Sequence, residues 1–422
     1  LPRFVVRFAV SVAISVCALG LRAEEVSTHC GEREVVLDAH HDVSVLERCG
    51  DDVPNPLLWY LDRIDQVRPD LDGRFDALNG GAGSVIYVMD TGVFASHDEF
   101  EANGTSRVIA GFDATGSVDI GRSRCTSVNK ATAPCYDDFE ELPAASHGTS
   151  VASIAAGNRI GVAPKAAVVS IRVMNERGLA TTRTYLDGLN AIIRHAWSPD
   201  APPFHTAVVN ISGWVLERLN GASVALAGPA VSYATVEQKM RAMIGGVDAS
   251  GRSDPNGKRF LFVVAANNVD GGCGESGIVD RFPATLGAKI EGMITVGGMT
   301  EANTNWNGSC RGGVEVLAPA QGIFSATITA HDQYRGRRPY LRSGTSFAAP
   351  IISGIAARLL SDRPDLTPQQ IETWISQTPS RVDDPLPALA DGRVGFIQSI
   401  ARVPAPASAE PAASTASVAL ER

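Results

Sequence analysis

Five apolar runs of strand length alternate with five stretches of helical pattern along this chain, and that alternation restricts the folds open to it. The strand runs are Ser84 to Met89, Ala166 to Val173, Thr206 to Ile211, Phe260 to Ala265 and Met293 to Val296. The helical stretches are Thr149 to Ala156, Thr182 to His195, Val231 to Met243, Ser346 to Leu360 and Pro368 to Ser376. Runs such as Val85-Ile86-Tyr87-Val88-Met89 are apolar at every position, so they suit strands buried on both faces. Strands alternating with helices predict a mainly parallel central sheet with helices on both faces, an α/β fold in three layers. Thr367-Pro368-Gln369-Gln370 predicts a helix start, with Thr as cap, Pro at the first helical position and Gln at the third.

Chemistry-bearing residues sit at the ends of these elements. Asp90 closes the first strand run and is followed by Thr91-Gly92, which lets the chain turn. The carboxyl end of a parallel strand is where α/β proteins build their sites. His147, in Ser146-His147-Gly148-Thr149, precedes a helix of small residues. Ser346, in Ser343-Gly344-Thr345-Ser346-Phe347-Ala348-Ala349-Pro350, opens a helix that is apolar nearly all round and therefore expected at the centre of the molecule. Pro350 is read as lying in its first turn, where the missing N–H costs nothing. A serine at a helix N-terminus can attack a carbonyl while its own N–H supports the developing oxyanion. His97, in the polar stretch Ser96-His97-Asp98-Glu99, is read as a surface residue.

The order Asp, His, Ser differs from the His-first and Ser-first orders of two other well-known hydrolase folds. With these motifs the chain resembles the subtilase family of serine endopeptidases, nearest in pattern to its proteinase K-like branch; the similarity runs from about residue 54 to 360. The resemblance implies a subtilisin-like fold, with Asp90, His147 and Ser346 as catalytic residues. It also implies a side-chain oxyanion donor just after the strand Phe262-Val263-Val264-Ala265. Asn268 matches that position, although Asn267 stands where relatives carry Gly, which leaves Asn267 and Asn268 both open as the donor. Ser212, Gly213 and Trp214 resemble one wall of the substrate cleft and Ala265, Ala266 and Asn267 the other, holding an extended peptide as an added strand. Trp214 stands where relatives have a small residue. A catalytically silent subtilase fold used for binding is the competing reading, disfavoured because all four catalytic positions are filled.

Composition and the chain ends bound the setting. A formal net charge of −9 over 422 residues argues against a nucleic-acid partner. Arg3 and Arg7 followed by the apolar run Phe8 to Leu21 read as a secretory leader, residues 1–23, too short in its apolar core for a comfortable membrane span. Residues 24–53 read as an N-terminal extension, 54–401 as the peptidase domain, and 402–422 as a disordered Pro/Ala/Ser-rich tail. The expected product is secreted (extracellular or periplasmic) and monomeric. Its expected partners are protein or peptide substrates, with no stable membrane association. Of seven cysteines, Cys17 falls in the leader; the other six suggest disulfides in an exported chain. The sequence-local pairing is expected: Cys30 with Cys49, Cys125 with Cys135, Cys273 with Cys310. The chemistry requires no cofactor and no metal. The acidic stretch Asp137-Asp138-Phe139-Glu140-Glu141 has no regular calcium-ligand spacing, so structural calcium has no motif behind it.

Overall fold

The computed structural model describes residues 80–115 (apart from 103), 146–215 (apart from 176–177), 231–269, 279–327 and 341–377, with short pieces between 44 and 75, at 218–219 and 222–223, and at 273 and 277. Among the described residues, seven strands form the central sheet: β1 Val85–Asp90, β2 Val108–Asp113, β3 Ala167–Arg172, β4 Thr206–Ile211, β5 Arg259–Ala265, β6 Met293–Met299 and β7 Val316–Pro319. Their spatial order is β7-β6-β5-β4-β1-β3-β2, and every neighbouring pair is parallel. The first strand therefore lies inside the sheet. The chain runs from it to one side through β2 and β3, then crosses to the other side for β4 to β7. This reversal between β1 and β4 is the topological switch point, the crevice where such sheets take their ligands.

Among the described residues, six helices surround the sheet: α1 Trp59–Asp65, α2 His147–Ala156, α3 Thr182–Ala196, α4 Tyr233–Gly245, α5 Thr345–Asp362 and α6 Pro368–Gln377. The side chains of β1 explain why both faces need cover. Ile86 and Val88 pack into a core with residues of α2 and α5, while Val85, Tyr87 and Met89 pack into a second core with residues of α3 and α4. A period of two along a strand with apolar residues at every position produces this pair of cores. Helix α5 is buried from Thr345 to Leu360.

The expected helix starts and strands hold to within two residues at most ends, and the additions are β2, β7 and α1. Thr367 caps α6 as its sequence predicts: its Oγ accepts from the Gln370 amide at 3.3 Å, and its own N–H donates to the Gln370 side-chain oxygen at 2.9 Å. Two readings are corrected. Pro350 is the sixth residue of α5, in its second turn rather than its first. His97 is fully buried; its Nδ1 accepts from the Glu99 amide at 3.1 Å and caps the short helical turn Asp98–Phe100. Polar sequence neighbours do not keep a residue at the surface when its ring supplies an acceptor to an orphan amide.

Of the expected disulfides, Cys273–Cys310 is present. The pairs Cys30–Cys49 and Cys125–Cys135 lie outside the described side chains, as do the leader, the C-terminal tail and the acidic stretch Asp137–Glu141. No described helix is long and apolar enough to cross a membrane.

Candidate active site

Asp90 is the last residue of β1 and has no solvent exposure. Its Oδ1 accepts from the Thr91 amide at 2.7 Å and lies 2.7 Å from His147 Nδ1. Because a carboxylate only accepts, the His147 proton on this bond sits on Nδ1, which leaves Nε2 with its lone pair. Half-exposed His147 begins α2, and the residue before it, Ser146, has a left-handed backbone with φ 70°. The entry to α2 is locked to the loop after β1. The Gly148 amide donates to Thr91 Oγ1 at 2.9 Å, and the Phe94 amide donates to Thr149 Oγ1 at 2.9 Å. A Cβ on Gly148 would stand 2.1 Å from the Gly92 carbonyl oxygen and 3.1 Å from Asp90 Cβ. Glycine at 148 is what lets the histidine helix approach the aspartate strand closely.

Ser346 is the second residue of α5, behind the Gly344 cap, and is 9% exposed. Its amide lies in the first turn, where N–H groups have no intrahelical acceptor. Its hydroxyl donates to the Ser212 carbonyl oxygen at 3.1 Å, at the end of β4. The next residue, Phe347, places its ring 5.4 Å from the His147 ring, centroid to centroid. The Arg342 guanidinium lies 5.6 Å over the other side chain of that pair, Phe347, and its Nη2 donates to Ser146 Oγ at 2.7 Å. The segments bearing His147 and Ser346 are thus tied together by Arg342, which lies outside both motifs, acting on Ser146 and Phe347 within them.

Asn267 and Asn268 separate clearly. Asn267 is buried with a left-handed backbone, φ 80°, and serves the turn; Asn tolerates this conformation better than most residues with a Cβ. Asn268 faces α5. Its Oδ1 accepts from the Thr345 amide at 2.9 Å and from Thr345 Oγ1 at 3.2 Å. With the oxygen so engaged, the Nδ2 end is left for another acceptor; it lies 3.5 Å from where a Cβ on Gly344 would be. Burial, and next the Asp90 charge, hold the Tyr185 hydroxyl well above the usual phenol range, so the aspartate acts within a poorly solvated environment.

The candidate cleft walls lie at the adjacent, parallel ends of β4 and β5. Ser212 and Gly213 follow β4 as buried residues, and half-buried Trp214 comes next. A Cβ on Gly213 would meet Met174 Cε at 2.1 Å. Ala265 ends β5, and the Ala266 amide donates to the Val296 carbonyl at 2.9 Å. Val215 donates to the carbonyl of Phe282 at 3.1 Å, next to the cis Phe282–Pro283 bond. Among the described residues, no group of three or more His, Cys, Asp or Glu side chains is placed to hold a metal ion.

Two residues of this neighbourhood received no role of their own from the sequence, although Asn210 lies in the segment Asn210 to Trp214 that resembles a substrate-pairing strand. Asn210 and Ser353 are buried and hydrogen-bonded to one another behind Ser346. Their signal was a carboxamide within the apolar run Ala207 to Ile211, and a serine seven positions after Ser346 within the mostly apolar run Phe347 to Ala357.

The family model described as "Subtilase family" matches residues 81–396. The extracellular serine proteinase of a Thermus species is 29% identical over 323 residues, covering 76% of this chain and 60% of its own length. A cuticle-degrading serine protease of Arthrobotrys oligospora is 26% identical over 311 residues, covering 72% of this chain and 58% of its own. Alkaline serine exoprotease A of Vibrio alginolyticus is 29% identical over 323 residues, with 75% and 46% covered. The chain therefore spans about half to three-fifths of the length of these curated relatives. The crystal structure of a cold-adapted subtilisin-like serine proteinase superposes with a TM-score of 0.56 at 25% identity, covering 82% of this chain and 98% of that one.

Proposed function

The chain belongs to the subtilase family, and on that footing we propose that it is a serine endopeptidase working through Asp90, His147 and Ser346. The observation that carries the reading is the 2.7 Å bond between His147 Nδ1 and buried Asp90 Oδ1. It selects the tautomer in which Nε2 is the base, and it supplies a fixed negative charge for the imidazolium that forms. The Ser346 hydroxyl turns from the Ser212 carbonyl to His147 when substrate is bound; such contacts are often loose without substrate. His147 takes its proton as the oxygen attacks the peptide carbonyl. The Ser346 amide and Asn268 Nδ2 donate to the oxyanion. His147 then protonates the leaving amine, and water releases the acyl-enzyme.

Ser212, Gly213 and Trp214 on one side and Ala265, Ala266 and Asn267 on the other form the walls that receive an extended peptide. Within the family we place the chain in the proteinase K-like branch, on the resemblance of Asn55-Pro56-Leu57-Leu58-Trp59 to its domain start. The Thermus relative described as extracellular, the Cys273–Cys310 disulfide and the leader-like residues 1–23 together favour export. The domain then runs from 54 to 401, with 24–53 as an extension and 402–422 as a tail.

Fluorophosphonate labelling of the exported protein, with mass spectrometry to locate the adduct, tests the reading. The expected result is label on Ser346, abolished in His147→Ala, together with turnover of a denatured protein substrate that disappears in Ser346→Ala. Well-folded protein that takes no label at Ser346 overturns it and favours a silent fold used for binding.

A further inference from the structure

Two periodicities bring four polar residues to one place in the apolar interface between α5 and the sheet. Asn210 and Ser212 are two apart at the end of β4, so they share a face with Val208, which packs into the α5 core. Ser346 and Ser353 are seven apart on α5, so they share a stripe. Asn210 and Ser353 have no solvent exposure, Ser212 has 2% and Ser346 has 9%.

Pro350 creates the need that these residues meet. In an α-helix its amide would donate to the carbonyl four residues earlier, that of Ser346. Proline has no N–H, and its ring pushes against that same carbonyl. The Ser346 carbonyl therefore lacks its helical donor within a buried helix. Ser212 Oγ supplies one at 2.8 Å. Asn210 Nδ2 donates to Ser212 Oγ at 2.9 Å, which fixes the serine rotamer with its own proton directed at Ser346. Ser353 Oγ donates to Asn210 Oδ1 at 2.9 Å and thereby orients the carboxamide. The donors all run one way: Ser353 to Asn210, Asn210 to Ser212, Ser212 to the Ser346 carbonyl. The Ser346 hydroxyl returns a bond to the Ser212 carbonyl at 3.1 Å. Ser346 is thus held to the end of β4 by its backbone and by its side chain.

A buried polar chain adds stability only while every member is bonded, and apolar residues would fill the same space without that requirement. What such a chain supplies beyond packing is one defined geometry. We propose that Asn210 and Ser353 are positioning residues that set the height of Ser346 over the sheet by orienting the Ser212 hydroxyl against the carbonyl that Pro350 leaves without a donor. The inference rests on the reading of Ser346 as the nucleophile. Neither residue touches substrate. Each acts through Ser212, and a nucleophile displaced by about 1 Å loses about 100-fold in rate.

The test compares wild type, Ser353→Ala and Asn210→Asp for the rate of fluorophosphonate labelling at Ser346, for kcat and KM on a peptide substrate, and for thermal unfolding. Ser353→Ala removes only the hydroxyl that orients Asn210. Asn210→Asp keeps the acceptor for Ser353 but offers no N–H to Ser212. The expected result is a fall of about 10-fold or more in labelling rate and in kcat, with KM within about twofold and folded protein retained. The double variant is expected to lose no more than the worse single one, because both cut the same relay. If Asn210→Asp fails to fold, Ser353→Ala decides alone. Folded Ser353→Ala that labels and turns over within twofold of wild type overturns the proposal, as does a lower unfolding temperature with unchanged kcat. If wild type itself takes no label at Ser346, the reading of the nucleophile fails and this inference falls with it; labelled wild type with an unaffected variant sinks the inference alone.

Discussion

At the scale of single residues, the catalytic assignment turns on which atoms are already engaged. Asn268 spends its oxygen on Thr345, so its amide nitrogen is the end available for a developing oxyanion. Asn268→Ala is expected to lower kcat by about 100- to 1000-fold, a magnitude carried over from oxyanion-donor removal in a subtilisin, with KM little changed. Steady-state kinetics on a peptide substrate checks this, and an Asn268→Ala enzyme of near-normal kcat would remove the residue from the mechanism. Asp90, His147 and Ser346 were legible in the sequence as candidates because each sits in a short motif at the end of an element. Asn210 and Ser353 were not, because their importance depends on Pro350 leaving a carbonyl without its donor, and on which helix lies over which strand. His97 was misread because its polar neighbours suggest exposure, whereas its ring lies 6.3 Å from that of Phe100 and its Nδ1 accepts from the Glu99 amide.

At the scale of elements, close approach is what joins the motifs into a site. Helix α2 and the loop after β1 touch through Gly148, where a Cβ would press within 2.1 Å of the Gly92 oxygen. Gly148→Ala is therefore expected to push His147 off Asp90 and to cost both activity and stability. Activity assays and thermal unfolding of the purified variant measure this, and a variant with both values unchanged would show that the loop yields freely. Helix α6 supplies the opposite case. Its capping box is exposed and lies away from the site, so Thr367→Ala is expected to cost about 1 kcal/mol and leave kcat as it is. Denaturant unfolding resolves a change of that size. Element positions read from the sequence held wherever apolar runs were long. Strand β2 was missed because Gly111 and a register shift between Ile109 and Phe112 interrupt the pattern, and because this edge strand is only half-buried. Gly111 is itself a packing requirement, since a Cβ there would lie 1.8 Å from the Ser170 carbonyl oxygen. Strand β7 is only four residues long, too short for a periodic signal.

At the scale of the whole molecule, the sheet separates the chemistry at its carboxyl edge from a buried acid elsewhere. Glu315 accepts from the Thr295 amide at 2.5 Å, yet burial pushes its carboxyl up to about 8, against about 4.5 in the unfolded chain, with the nearby Glu372 adding to the rise. Between those values folded Glu315 holds its proton more than the unfolded chain does, so its contribution to stability falls as pH rises from about 4.5 to about 8 and then levels off. Glu315→Gln removes that contribution. Unfolding temperatures measured in a Ser346→Ala background, to prevent self-digestion, are expected to decline less between pH 5 and pH 8.5 in the Gln variant; equal declines would refute the assignment. The sequence by itself determined the layered α/β class, the places of the principal strands and helices, and the order of the three motif residues. It could do so because periodicity and capping are local, and because residue types at element ends carry their own chemistry. Only the tertiary structure decided that Asn268 rather than Asn267 faces the Ser346 helix, that Pro350 interrupts a second turn, and that Asn210, Ser212 and Ser353 converge on Ser346. Those facts depend on the crossing of β4 with α5 and on which backbone groups are left without partners. Residues far apart in the chain meet there, and no local pattern encodes the meeting.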